Sequence, residues 1–466
     1  MTSPLQSADT ICALSTAAGG AIAVIRVSGK DAITITDKLF SSAKGKSLAE
    51  RESHKAIFGQ FKNSDGECID DVVVVTFKAP HSYTGEDTTE ISCHGSRFII
   101  GQILKALVEQ GCRQAGPGEY TQRAFLNGKL DLSQAEAVAD LIASTNRATH
   151  KMAMSQLRGH FSNQLSDLRD KLLHLTSLME LELDFSDHDV EFADRAQLLT
   201  LVEKAKEQIE KLSSTFATGK ALREGVAVAI VGKTNVGKST LLNRLLHDEK
   251  AIVSDIHGTT RDVIEDTTQI NGVTFRFIDT AGIRETSDTI EQMGIERTMQ
   301  KLDEASIVLW MTDTAPDPSE AQEIATRCKD KSLIAIVNKI DKTSQESYDP
   351  TISLKPEHKE KIPVIAISAR NGIGIEQLEK SLYESASLPE ITENDVIVTN
   401  IRHYEALQKA HADLQLVEEG LKNNLSGDLL SEDLRACIEH LSEIVGGAIT
   451  PDETLGNIFK NFCVGK

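Results

Sequence analysis

The sequence predicts a multidomain chain: an α+β N-terminal domain, an α-helical bundle domain, and an α/β domain inserted into that bundle. Three observations predict it. Short β-branched runs broken by Gly and Pro fill residues 1–120. Period-3.6 apolar texture occupies two separated stretches, 121–222, where Gly and Pro are almost absent, and 387–466. Between them, residues 223–386 alternate apolar strands with helical segments, the pattern of a doubly wound parallel sheet.

In residues 1–120 the runs AIAVIRVSG, DVVVVTF and TTEISCHG read as strands, followed by an apolar-periodic helix, FIIGQILKALVEQG. In residues 121–222, LSQAEAVADLIAS, the long MAMSQL…ELELDF segment and LLTLVEKAKEQIEKLSS read as amphipathic helices. The strands VAVAIVG, VTFRFIDT, SIVLWMTD, SLIAIVNK and PVIAISA follow in residues 223–386. Helical texture then resumes in residues 387–466 with RHYEALQKAHADLQLVEEGL, SEDLRACIEHLSEIVGG and TLGNIFKNFC. Each helical stretch alone would make a thin core, so one shared bundle is expected; two unrelated helical domains are the alternative.

At 466 residues the chain has room for two to four domains of roughly 100–200 residues each. Lys plus Arg is 50 and Asp plus Glu is 70, so 50 − 70 gives a net charge of −20, with aromatics at 4%. Such a chain is poorly suited to bind nucleic acid alone, because phosphate neutralisation needs cations and base stacking needs rings. Any RNA substrate is expected to be held with help. The seven cysteines, at 12, 68, 93, 112, 328, 437 and 463, form no C-x-x-C pair, which excludes a zinc knuckle or disulfide framework and suits a reducing cytosol. The polar N-terminus has no signal-peptide pattern, and the runs at 72–75 and 226–232 are too short to span a bilayer. A cytoplasmic protein without a membrane segment is expected.

The chemistry is concentrated in the α/β segment. Gly232–Ser239 reads GKTNVGKS directly after the strand VAVAIV and before STLLNRLL. This is a P-loop, in which Asn235, Val236 and Gly237 turn backbone N–H groups toward phosphate oxygens. Lys238 reaches the β and γ phosphates, Ser239 Oγ ligates Mg²⁺, and Thr240 continues the helix. The string Asp279-Thr280-Ala281-Gly282 follows the strand VTFRFI, placing a carboxylate near the Mg²⁺ shell and an N–H near the γ-phosphate. In Asn338-Lys339-Ile340-Asp341 the aspartate can accept from guanine N1–H and the exocyclic amine, donors that adenine does not offer, so GTP is the expected nucleotide. Ser368-Ala369-Arg370 fits a last base-contact loop. Thr259-Thr260 supplies a switch threonine, with Thr260 a second Mg²⁺ ligand. These ordered elements resemble the translation-factor class of GTPases. One departure is Ile283 after the DTAG string, where many such enzymes place a water-orienting Gln.

The strings DTICALST, IRVSG, SYTGEDTTEISCHG, PGEYTQRAFLNGKLDLSQAEAVADLI and the terminal CVGK closely resemble the MnmE (TrmE) family of tRNA-modification GTPases along the whole chain. Val464 stands where the family usually has Ile, a volume change of little consequence. The resemblance implies an enzyme that works with an FAD-containing partner of the MnmG type. Together they install an aminomethyl or carboxymethylaminomethyl group at C5 of the wobble uridine of certain tRNAs. It further implies a folate-binding N-terminal domain that dimerises, taking a 5-formyl or 5,10-methylene tetrahydrofolate. By motif position Arg26, Glu90, Lys129 and Lys466 fall on the folate site, where Glu suits the pterin amine and cations suit a glutamate tail. By residue type alone each reads as a surface charge.

The same resemblance implies that two GTPase domains pair when GTP is bound, with K⁺ replacing an arginine finger. Its ligands would be Asn235 and the loop Ser254-Asp255-Ile256-His257-Gly258-Thr259, chiefly at Ser254, Ile256 and Thr259. Glu291 would be the general base through a bridging water. As residues alone, Asn235 is equally a turn former and Glu291 an exposed helix glutamate. Cys463 reads as structural, and the pair Cys93-His94 as strand and turn without a third ligand or an orienting acid. Two other functions compete: a GTP-dependent binding switch in ribosome assembly, which usually carries a basic RNA-binding module, and a folate-dependent methyltransferase with a vestigial GTPase.

Overall fold

The computed structural model describes residues 9–17, 19–42, 45–184, 195–247, 266–278, 304–328, 331–342, 351–353, 361–389, 392, 395–447, 455, 458–459, 462 and 465. The chain divides into two compact units. One joins Met1–Ala143, Ala153–Glu210 and Glu405–Lys466; the other joins Ser144–Met152 and Lys211–Tyr404.

The first unit opens with β1 (Ile11–Leu14), β2 (Ile22–Ser28), α1 (Ala32–Leu39), β3 (Phe40–Ser42), β4 (Ala56–Lys62), β5 (Cys68–Phe77), β6 (Thr88–His94), α2 (Arg97–Glu109) and β7 (Arg113–Gln114). The seven strands form one sheet in the order β3-β4-β5-β6-β2-β1-β7. Every pairing is antiparallel except β1 with β7. Alternation decides its two faces. Ile25, Val27, Val72, Val74 and Ile91 point to a core shared with Ile103 and Leu107 of α2. Their strand neighbours Val24, Arg26, Val73, Val75, Glu90 and Ser92 lie on the other face and are only half-buried. There follow α3 (Glu119–Leu126), α4 (Leu132–Ala143), α5 (Arg147–Leu157), whose residues up to Met152 cluster with the second unit, α6 (His160–Asp184), and α7 (Arg195–Ser214), whose last residues from Lys211 also cluster with the second unit.

The second unit contains α8 (Phe216–Glu224), β8 (Val226–Gly232), α9 (Lys238–His247), β9 (Asp266–Ile270), β10 (Val273–Phe277), β11 (Ile307–Thr312), α10 (Pro318–Arg327), β12 (Ser332–Val337), β13 (Thr351–Ser353), β14 (Lys361–Ala366) and α11 (Ile375–Ser385). Its sheet runs β13-β14-β12-β11-β8-β10-β9. The interior pairs β14/β12/β11/β8/β10 are parallel. Strands buried on both faces need near-continuous apolar sequence, and VAVAI, IVLWM and IAIV are buried throughout. Val228 and Ile230 pack with Leu241, Leu245 and Leu378 on one face, while Ala227 and Ala229 pack with Val308 and Cys328 on the other. The β9–β10 hairpin turns at Asn271-Gly272, both at positive φ, the dipeptide that a two-residue turn of this hand favours.

The remaining helices, α12 (Ile401–Lys422) and α13 (Gly427–Val445), return most of the C-terminal segment to the first unit. There α6 packs along α13, and α7 is tied to α12 by the Lys206–Glu418 ion pair. The buried apolar residues described in α6 are Phe161, Leu165, Leu168, Leu172, Leu175 and Met179, and those of α13 are Leu430, Leu434, Cys437, Leu441 and Ile444. Steps of four and three keep one stripe facing a neighbour, the spacing of knobs-into-holes bundles. The bundle is therefore assembled from both helical stretches, with the α/β unit inserted between them. Among the described residues no helix is long and apolar enough to cross a membrane.

Leu434 is fully buried. Its replacement by Ala removes a knob from this stripe, and we expect a loss of about 2–5 kcal/mol, measured as a shift of the denaturant midpoint with unchanged slope.

Candidate functional site

In the second unit the phosphate loop leaves β8 at Gly232 and turns through Asn235, at φ 60°, and Gly237, at φ 103°. It enters α9 at Lys238. Lys238 Nζ donates to the carbonyls of Gly232 and Lys233, both at 2.8 Å, which holds the ammonium within the loop. Burial lowers its pKa. Ser239 is half-buried in the first turn of α9 and Thr240 is exposed.

The buried side chain of Asn338 joins this loop to the base-side loops. Its Nδ2 donates to Val236 O at 2.8 Å, and its Oδ1 accepts from Ala369 N–H at 3.0 Å. A Cβ on Gly237 would overlap that amide, so only glycine fits there. Lys339, itself at φ 64°, donates from Nζ to Asn235 O at 2.6 Å and to Asp313 Oδ2 at 3.0 Å. Ser368 Oγ donates to Asp341 Oδ1 at 2.6 Å. That bond holds the exposed Asp341 carboxyl below its ordinary pKa and leaves its other oxygen to accept. Arg370 is exposed at the rim, and a cleft of about 380 Å³ lies between Thr240, Asn243 and Arg244 on one side and Ala369 and Arg370 on the other.

The structure thus brings together Asn235, Val236, Gly237, Lys238, Ser239 and Thr240 with Asn338, Lys339, Asp341, Ser368, Ala369 and Arg370. Ser254, Asp255, Ile256, His257, Gly258, Thr259, Thr260, Asp279, Thr280, Ala281, Gly282, Ile283 and Glu291 lie outside the described residues. Sequence reasoning missed Asp313 and Arg244. Asp313 follows a strand end, as Asn338 does, and that placement was the available signal.

The first unit presents a second constellation. Arg26 on β2 and Glu90 on β6 are register partners, joined at 2.8 and 3.0 Å to one carboxylate oxygen. The guanidinium lies 5.2 Å from the ring centre of Tyr83 and 5.6 Å from that of Tyr120, distances at which a cation is attracted by ring faces. Tyr120 OH donates to Arg26 O at 2.6 Å, and burial raises its pKa far above the ordinary value. Lys129 Nζ donates to Pro80 O at 3.1 Å, and Asn127 holds Thr84 O at 2.7 Å. The loop after α3 therefore holds the segment Pro80–Glu86 at Pro80 and at Thr84. Beneath it the buried Arg123 pairs with Asp9, Glu86 and Glu119, and Arg113 pairs with Asp9 and Glu119. Tyr83, Tyr120, Glu86 and Arg123 were not foreseen, although the SYTGEDTTE and PGEYTQRAF strings contain all four.

Ser15 Oγ donates to Gly465 O at 3.1 Å, so the C-terminal tail reaches the end of β1 within its own chain. Lys466 and Cys463 lie outside the described residues. One reading is corrected. His94 does have an acid partner, Asp70 on β5, at 2.8 Å. Cys93 meanwhile turns into the core, because successive strand residues point to opposite faces. Among the described residues no cluster of three or more His, Cys, Asp or Glu could hold a metal.

The strand–P-loop–helix unit, the NKID loop and the parallel sheet define a P-loop GTPase. A family model described as "GTP-binding protein TrmE N-terminus" matches residues 10–129, and one described as "MnmE helical domain" matches residues 132–463. The tRNA modification GTPase MnmE of Bacteroides fragilis is 57% identical over 464 residues, covering 98% of this chain and 99% of that protein. The proteins of that description from Bacteroides thetaiotaomicron and Parabacteroides distasonis are each 56% identical, covering 98% of this chain and 99% and 100% of theirs. The chain belongs to the MnmE (TrmE) family of tRNA modification GTPases.

Burial alone would raise the pKa of Glu119, but hydrogen bonds from Arg113, Gly116 N–H and Arg123 outweigh it and leave the group below its ordinary value of 4.5. A depressed carboxylate stabilises the fold at every pH above the unfolded value, and that contribution is lost as pH falls through the folded one. We expect the melting temperature of the parent to fall more steeply below pH 4.5 than that of Glu119→Gln, measured by thermal unfolding across the acid range.

Proposed function

We propose that this chain is the GTP-hydrolysing component of a two-protein tRNA-modification system. With an FAD-containing partner of the MnmG type, it adds an aminomethyl or carboxymethylaminomethyl group at C5 of the wobble uridine of certain tRNAs. The carbon would come from 5-formyl- or 5,10-methylene-tetrahydrofolate. One observation carries the reading. A framework of phosphate loop and base-side loops tied by Asn338 and the Arg26–Glu90 pair between two tyrosines occur in one chain, and that chain matches tRNA modification GTPases over 98% of its length.

In this reading the backbone from Asn235 to Thr240 and the Lys238 ammonium bind the phosphates, while Asp341, Ala369 and Arg370 recognise guanine beside Asn338, Lys339 and Ser368. Ser239 and Thr260 would hold Mg²⁺, with Asp279 in its shell and Thr280, Ala281 and Gly282 forming the switch beside the γ-phosphate. Asn235 and the carbonyls of the Ser254–Thr259 loop, chiefly at Ser254, Ile256 and Thr259, would hold K⁺. Bound there, the cations would neutralise charge developing on the phosphoryl oxygens. Glu291 would orient and deprotonate the water through a bridging water, the task that Ile283 cannot perform. The GTPase units of two chains would pair when GTP is bound.

In the first unit Glu90 would accept from the pterin amine, and Arg26, Lys129 and Lys466 would meet the anionic tail. The Arg26–Glu90 pair fits such a ligand because both partners are part-exposed, at 20% and 29%, on the open sheet face. The position of Gly465 beside Ser15 favours delivery of Lys466 within its own chain. The same open face and the exposed Ile22 and Phe58 suit a homodimer through the N-terminal domain. We assign the domains as 1–120, 121–222, 223–386 and 387–466, place the protein in the cytoplasm, and expect the −20 charge to make tRNA binding depend on the partner.

Two variants, one at each site, test this reading. Glu291→Ala should retain GTP affinity while turnover falls about 10²-fold or more, and the parent should slow when Na⁺ replaces K⁺. Equal rates in the two salts, or a fully active variant, would remove Glu291 and K⁺ from the mechanism. In cells, Arg26→Ala should weaken formyltetrahydrofolate binding and deplete the modified wobble uridine, read by mass analysis of tRNA nucleosides. Tight folate binding by that variant would show the pocket to be elsewhere.

A further inference from the structure

The base loop Ser368–Ile373 carries two groups on which the base side of the site depends: Ser368 Oγ, which orients Asp341, and Ala369 N–H, which is bonded to Asn338. The loop closes on itself through Gly372 N–H and Asn371 N–H to Ser368 O, at 2.9 and 3.1 Å, and Ser368 N–H to Ile373 O at 3.0 Å. Gly372 sits at φ 76°. A Cβ there would overlap Arg244 Nη2 and lie 3.1 Å from its Cζ. The guanidinium of Arg244 therefore rests directly against bare backbone, an approach that a side chain at 372 would block. Arg244 also lines the cleft shared with Ala369 and Arg370.

Arg244 lies on α9, six residues after Lys238, about 9 Å along the axis at 1.5 Å per residue. One helix thus begins at the phosphate loop and, further along, lays Arg244 against the base loop. We propose that Arg244 is a positioning residue for guanine recognition, holding the Ser368–Ile373 loop on α9 so that Asp341 faces the exocyclic amine. The proposal rests on the reading of this site as a GTP site. It makes a specific demand: loss of Arg244 should weaken binding of guanine more than of hypoxanthine, because hypoxanthine lacks the amine that Asp341 accepts from.

The test is the affinity of the full chain for GDP and IDP, by titration calorimetry, in the parent, Arg244→Gln, Arg244→Ala, Arg244→Lys and Lys238→Ala. Arg244→Gln keeps the stem and serves if Arg244→Ala melts early. We expect both neutral variants to lose about tenfold in GDP affinity, with a smaller loss for IDP, so that the GDP:IDP preference shrinks. Arg244→Lys should restore part of that preference. Lys238→Ala should weaken both nucleotides alike. If Arg244→Gln and Arg244→Ala keep the parent's preference, whether by losing both nucleotides equally or by losing neither, the positioning role is overturned. If the parent itself shows no GDP preference, or Lys238→Ala binds as the parent does, the GTP-site reading fails instead.

Discussion

The amide of Asn338 is the joint on which the nucleotide framework depends. It is 4% exposed, and it spends a donor on the phosphate loop and an acceptor on the base loop, so neither loop can move without breaking a buried bond. An unpaired buried amide costs roughly 1–3 kcal/mol, enough to make the joined geometry the preferred one. Lys339 reinforces it by donating to Asn235 O, which fixes the backbone of the residue at positive φ. The loop is thus shaped by contacts from another strand end as well as by its own glycines.

The first unit solves a different problem, that of holding an arginine on an open sheet face. Arg26 is flanked by Glu90 and two tyrosine rings, and its backbone carbonyl is held by Tyr120. Tyr120 lies on α3, which the Arg113 and Arg123 pairs tie to Asp9 and Glu86. Ser28 completes the link by donating to Glu86 at 2.8 Å. Buried charges are tolerated only when paired and hydrogen-bonded, and Arg123 meets three carboxylates. The ionic layer positions the Tyr83 loop, while the guanidinium of Arg26 stays part-exposed to solvent.

The two sites share a design. In each, exposed or part-exposed charged groups are oriented by buried polar groups drawn from a different element: Asp341 by Ser368, and the Arg26 strand by Tyr120. The acidic total charge does not contradict anion binding at either place, because local donors dominate at hydrogen-bonding distance whereas net charge acts through a screened average.

The sequence by itself determined the α+β, helical and α/β segments, the P-loop on a strand–helix junction and the NKID string at a strand end. These are local patterns: strand alternation, heptad spacing and short motifs report the conformation of the residues that contain them. Arg26 and Glu90 were legible only through longer strings, since a single charged residue carries no periodic signal. Tertiary structure alone decided that Asn338 meets Val236, 102 positions away, that Arg123 meets Asp9 across 114, and that Arg244 rests on Gly372. Chain folding sets which distant residues meet, and a side chain's partner across a sheet or between loops depends on register and packing that no local pattern encodes.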